Sequence, residues 1–77
     1  MDQQTSLRDV VPVTEYQAEN AHVFPSKPSV DWFIRQHKKE LVNGGAIVKI
    51  AKRWMVHPHL FATVSLTIGK RNAQGGA

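Results

Sequence analysis

Cysteine is absent from the chain, which excludes disulfide staples, thiolate zinc sites and cysteine nucleophiles. Long apolar runs are absent too. None approaches the roughly 18 uncharged residues of a membrane span, and the N-terminus lacks the charged-then-apolar layout of a signal peptide. A cytoplasmic location and no membrane partner are therefore expected. Length is also scarce: 77 residues suffice for one small domain with little stability to spare. A large internal catalytic cavity is not expected in such a domain.

Acidic residues are few, six against ten Lys and Arg, and they are unevenly placed. Residues 1–24 hold Asp2, Asp9, Glu15 and Glu19 against Arg8, a net charge of −3. Residues 25–77 hold nine Lys and Arg against Asp31 and Glu40, a net charge of +7, and the two parts give the overall +4. The C-terminal two-thirds is where a polyanion would be met.

Residues 1–12 are polar, carry no apolar period and end at Pro12, so they are read as a flexible N-terminal arm. Thr14-Glu15-Tyr16-Gln17 has the form of a capping box and predicts a short helix over about 15–21, with Tyr16 and either Val13 or Val23 turned inward. The "VFPSKPS" stretch then breaks the helix, because each proline fixes φ and biases the residue before it away from helix. Pro28 suits the first position of a second helix. From there to about residue 42, Val30, Phe33, Ile34, His37 and Leu41 fall on one face, and Asn43-Gly44-Gly45 supplies residues tolerant of left-handed φ to stop it.

Two β-rich runs follow, 46–50 and 54–57, flanking Ala51-Lys52-Arg53. They predict a two-stranded hairpin with Lys52 and Arg53 at its tip and Lys49 on the solvated side opposite Val48 and Ile50. His57-Pro58 reads as a cap and a first helical position. Residues 60–68 satisfy two patterns. Leu60, Phe61, Val64 and Ile68 form a helical stripe, whereas Ala62, Val64, Leu66 and Ile68 alternate with Thr63, Ser65 and Thr67 as a strand would. Pro58, and the need of a lone hairpin for a packed helix, favour a third helix. The predicted core is Phe33, Ile34, Leu41, Val48, Ile50, Trp54, Val56, Phe61, Val64 and Ile68. Trp54 is expected between the hairpin and the last helix, and 70–77 form a flexible basic tail.

No enzyme is expected. Ser26, Ser29 and Ser65 occur without an acidic partner for a histidine, so no nucleophile, base and orienting group come together. The four histidines do not make a metal set. His57 and His59 diverge at a strand-to-helix junction, His22 and His37 are distant in sequence, and no cysteine or nearby carboxylate completes a tetrahedron. No cofactor or metal is therefore expected.

The order helix, turn, helix, hairpin, helix is that of a winged helix-turn-helix, mainly α with a small β-hairpin, over residues 13–69. Here "PSKPSVDWFIRQHK" and "IVKIAKRWMVHPHLF" resemble, respectively, the recognition-helix start and the wing of small MerR-like and phage excisionase-like DNA-binding proteins. The resemblance covers about residues 14–71. It implies sequence-specific binding of double-stranded DNA by a transcriptional regulator or a recombination directionality factor. Relatives of the excisionase type further imply self-association on repeated sites, DNA bending and an integrase partner.

The residue chemistry suits that role. Ser26, Lys27 and Ser29 stand at a helix start, where exposed N–H groups favour a phosphate. Arg35 can read guanine and Gln36 adenine, and Trp32 can stack or touch the backbone. Lys38, Lys39, Lys49, Lys52 and Arg53 offer cations to phosphates. For any one of these residues an ordinary solvated face is the competing reading. The competing function is a non-catalytic interaction module whose basic face binds an acidic protein or RNA.

Overall fold

The structure, a computed structural model, describes residues 7–75. After a 3-10 turn at Leu7–Asp9 come β1 (Val11–Pro12), α1 (Val13–Glu19), α2 (Lys27–Gln36), α3 (Lys38–Asn43), β2 (Ile47–Ile50), β3 (Arg53–Val56) and α4 (Pro58–Gly75). The protein is mostly helical, with one small antiparallel sheet in the order β1-β3-β2.

Strand β1 lies in the segment read as an arm. Val11 pairs with Val56 and Pro12 with Met55, and Val10 is buried. Pro12 is tolerated because β1 is an edge strand, where a missing N–H costs no ladder bond. Residues 1–6 of the expected arm lie outside the described residues. Helix α1 begins earlier than the capping-box reading placed it. Pro12 is its N-cap and makes no side-chain bond. The Gln17 amide instead donates to the Phe24 carbonyl at 2.7 Å, bracing the turn between α1 and α2.

The second helix of the sequence reading is two helices. His37, at φ −122° and ψ 25°, closes α2 and opens α3. Its N–H donates to the Phe33 carbonyl and its own carbonyl accepts from the Leu41 N–H. No proline or glycine marks this break. The stop after Asn43 follows the expected chemistry. Gly45 takes φ +74°, the Ala46 N–H donates to the Leu41 carbonyl and the Gly45 N–H to the Val42 carbonyl. This is a Schellman closure, with buried Ala46 and Leu41 as its apolar contact.

The hairpin differs from its predicted register by one residue. Its turn is Ala51-Lys52, both at positive φ (52° and 66°), and Arg53 already belongs to β3. The pairs are therefore Ile47 with Val56, Val48 with Met55, Lys49 with Trp54 and Ile50 with Arg53. A one-residue slip exchanges the faces of a strand. Ile47, not Val48, joins Val56 in the core, and Ile50 is 37% exposed.

Helix α4 settles the ambiguous segment. Thr63 and Thr67, whose alternation suggested a strand, donate their hydroxyls to the carbonyls of His59 and Thr63, the back-bond that lets threonine sit in a helix. His57 caps α4, its Nδ1 accepting the Leu60 N–H at 3.2 Å. The helix continues to Gly75, through most of the expected tail; residues 76–77 lie outside the described residues.

The core gathers on Phe61, which is fully buried. Its ring centroid stands 4.8 Å from that of Tyr16, 5.9 Å from Phe33 and 6.1 Å from Phe24, tilted and edge-on contacts of the kind aromatic quadrupoles favour. Val30, Ile34, Leu41 and Val56 are buried with this group, Phe33, Trp54 and Val64 are partly buried against the core, and Ile68 of α4 is buried as well. Val13, Phe24 and Ile47 belong to it as well. Val23, the alternative inward residue to Val13, is exposed.

Candidate nucleic-acid interface

Of the eleven residues singled out for DNA contact, all but half-buried Ser29 are exposed. At the start of α2, Ser29 folds back on Ser26. Its hydroxyl donates to the Ser26 carbonyl at 2.6 Å and accepts the Ser26 N–H at 3.3 Å. The Ser29 hydroxyl is thus committed to the helix start. Lys27 pairs with Asp31 one turn on, at 2.9 Å, so its charge is partly compensated where it stands.

Further along α2, Trp32, Arg35 and Gln36 follow at i, i+3 and i+4 and lie on the surface opposite buried Val30 and Ile34. Trp32 is 58% exposed, a large apolar surface in the middle of a polar helix face. Arg35 and Gln36 share an open hollow with Lys38 and Lys39 from the first turn of α3. The break at His37 therefore leaves these four side chains adjoining one another.

The hairpin is brought against the same helix. Arg53 and Trp54 of β3 line one groove together with Lys27, Asp31 and Ile34 of α2 and Pro12, Val13 and Thr14 at the β1–α1 junction. Trp54, expected in the core, is half-buried and packs against the core cluster at this junction. Lys38 Nζ stands 5.1 Å and Lys49 Nζ 5.5 Å from its ring centroid, within cation–π range. Lys52 occupies the turn itself.

The contact of Trp54 with Lys38 and Lys49 is what sequence reasoning missed. The signal that could have found it is the two-residue turn, which puts Lys49 directly across from Trp54. A three-residue turn places Ile50 there instead.

The rest of the basic segment is arranged so that its two carboxylates are both engaged. Asp31 is held by Lys27, and Glu40 takes a two-pronged contact from Arg71 at 3.1 and 3.0 Å, joining α3 to the far part of α4. The hydrogen bonds from Arg71 hold the Glu40 carboxyl below the usual range. Arg35, Lys38, Lys39, Lys49, Lys52 and Arg53 make no ion pair among the described residues.

Among the described residues, no cluster of three or more His, Cys, Asp or Glu is placed to hold a metal, and no helix is long and apolar enough to cross a membrane. Comparison with known protein families, with curated proteins and with solved structures finds no match.

Proposed function

We propose that the chain is a sequence-specific DNA-binding protein built as a winged helix-turn-helix. In this reading α1 and α2 are the helix-turn-helix, α2 reads the major groove, and the β2–β3 hairpin is the wing. The observation that carries it is the convergence on Trp54. Lys38 of α3 and Lys49 of the hairpin stand over its half-buried ring, and Lys27 of α2 and Arg53 of the hairpin line the groove it shares. Beside them is an exposed Trp32-Arg35-Gln36 stripe with the chemistry of base readout. Six unpaired cations in one segment suit a polyphosphate better than an ordinary surface, where opposite charges are interspersed. A regulator of transcription and a recombination directionality factor that works beside an integrase both fit this surface, as does self-association on repeated sites.

Gel-shift titration across a salt series tests the reading. Selected sites should be preferred over bulk competitor, and log affinity should fall steeply with log salt. Lys52→Ala/Arg53→Ala should weaken specific and random duplexes alike and lower the salt slope by up to about 1.8. Arg35→Ala and Gln36→Ala should lose mainly specific binding, by about 1–3 kcal/mol for a good base contact. No binding to duplex at low salt, with binding to RNA or to an acidic protein instead, would favour the interaction-module reading.

A further inference from the structure

We propose that Trp54 is a positioning residue: its ring holds Lys38 and Lys49 together as a seat for a backbone phosphate, across the junction of α3 and the hairpin. The proposal rests on the DNA-binding reading and names a contact separate from the turn cations. Lys38 begins α3 and Lys49 lies in β2, yet both ammonium groups reach the same indole, at 5.1 and 5.5 Å. They are therefore no more than about 11 Å apart, of the order of the screening length of about 8 Å at physiological salt, and they repel each other.

Nothing in the described residues neutralises the pair. Asp31 is taken by Lys27 and Glu40 by Arg71. An aromatic face attracts an ammonium group without consuming its N–H donors as a carboxylate would, so those donors stay available to an oxyanion. Docking on the ring also fixes two long side chains before any ligand arrives, which removes part of the ordering cost of binding.

The sequence position of Lys49 agrees. It lies on the face of β2 that carries buried Ile47, directly across from Trp54. A hairpin serving only as a core cover would place an apolar residue there. The ligand class that satisfies two ammonium groups held on one indole at the edge of a DNA-reading helix is a phosphodiester, bound without regard to sequence.

The test is the salt dependence of binding to a short random-sequence duplex, measured by fluorescence anisotropy. Lys38→Ala and Lys49→Ala should each lower the log–log slope, by up to the roughly 0.9 that the one shared phosphate contributes. Trp54→Leu removes no charge, yet it should lower the slope by up to about 0.9, the share of one phosphate, because the two ammonium groups are no longer held at the contact. Trp54→Phe, which keeps an aromatic face, should restore most of it. Thermal melts by circular dichroism accompany each variant, and the two exposed lysine variants carry the test should Trp54→Leu fail to fold. Unchanged slopes in the lysine variants, with wild-type binding intact, would overturn the proposal alone. A folded Trp54→Leu with a wild-type slope would do the same. Failure of the wild-type protein to bind any duplex would overturn the DNA-binding reading as well.

Discussion

The turn of the hairpin holds two side chains in a region that L-residues avoid, and relieving one of them should make the protein more stable. Ala51 and Lys52 sit at φ 52° and 66°, the backbone of a type I′ turn, whose twist matches that of the strands and which favours Asn and Gly. A non-glycine residue in this conformation costs about 1–2 kcal/mol. Glycine removes that cost but loses about 0.5–1 kcal/mol more chain entropy than alanine on folding. Ala51→Gly should therefore stabilise the fold by about 0.5–1 kcal/mol, which for a domain of this size raises Tm by about 2–8 °C. Ala51→Val, whose branched Cβ cannot adopt the turn without strain, should lower it. Ala51 carries no charge, so the salt slope for DNA should stay at the wild-type value in Ala51→Gly. Melts followed by circular dichroism decide the matter. A Tm for Ala51→Gly equal to or below wild type would refute the two-residue turn, and with it the register that brings Lys49 to Trp54.

Other outcomes follow from single contacts. Phe61→Ala should cost about 3–5 kcal/mol, most of the stability of a domain this small, so its melt should be largely lost; a wild-type Tm would contradict the ring cluster around it. His57→Ala, read by chemical denaturation, should cost about 0.5–2 kcal/mol through loss of the α4 cap, and His57→Asn should recover it. The Glu40 carboxyl titrates below its ordinary value in the folded state because Arg71 hydrogen-bonds to the charged form. Its contribution to stability is therefore present above the ordinary glutamate range and lost as pH falls through the lowered value. Glu40→Gln should flatten the acid side of the stability profile there, slightly, because the pair is exposed.

What was legible in the sequence, and what was not, divides by the range of the interactions concerned. The α2 start at Pro28, the stop at Gly44-Gly45 and the His57-Pro58 cap are local chemistry, and each stands within a residue or two of where the letters put it. The choice of helix for 60–68 depended on Pro58 and on packing, against a competing alternation of threonines, and the back-bonds of Thr63 and Thr67 show how that alternation is absorbed. Strand β1 was hidden because a two-residue edge strand has no period to detect; only its partner β3, more than forty residues away, defines it. The break at His37 has no glycine or proline to announce it. The hairpin faces failed for a geometric reason: counting Arg53 into the turn aligned Val48 and Ile50 with Trp54 and Val56. The true two-residue turn aligns Lys49 and Ile47 with them instead. That one residue decides whether Lys49 is an outer solubilising charge or a neighbour of Trp54, so the exposure of the cations was legible and their arrangement about Trp54 was not.

Asp31 is the one acid among the described residues that line the groove between α2 and the hairpin, and its effect there can be separated from its effect on net charge. It lines the groove shared by Lys27, Arg53 and Trp54, where it holds Lys27 at 2.9 Å and would repel an incoming phosphate. Asp31→Asn removes that repulsion and releases Lys27, so two local changes favour a polyanion at once. Because the pair is exposed at the surface, its loss should cost the fold no more than about 0.5 kcal/mol, and Tm should hardly move. Binding to a random-sequence duplex should tighten, and the salt slope should steepen by up to about 0.9 as Lys27 becomes one more phosphate contact. Glu40→Gln is the matched control. It too removes one negative charge and frees one cation, Arg71, but Glu40 lies outside that groove. An equal gain in both variants would mean that net charge alone governs affinity. A gain confined to Asp31→Asn would place the phosphate in the groove between α2 and the hairpin. Unchanged or weaker binding in Asp31→Asn would mean that this groove does not face the DNA.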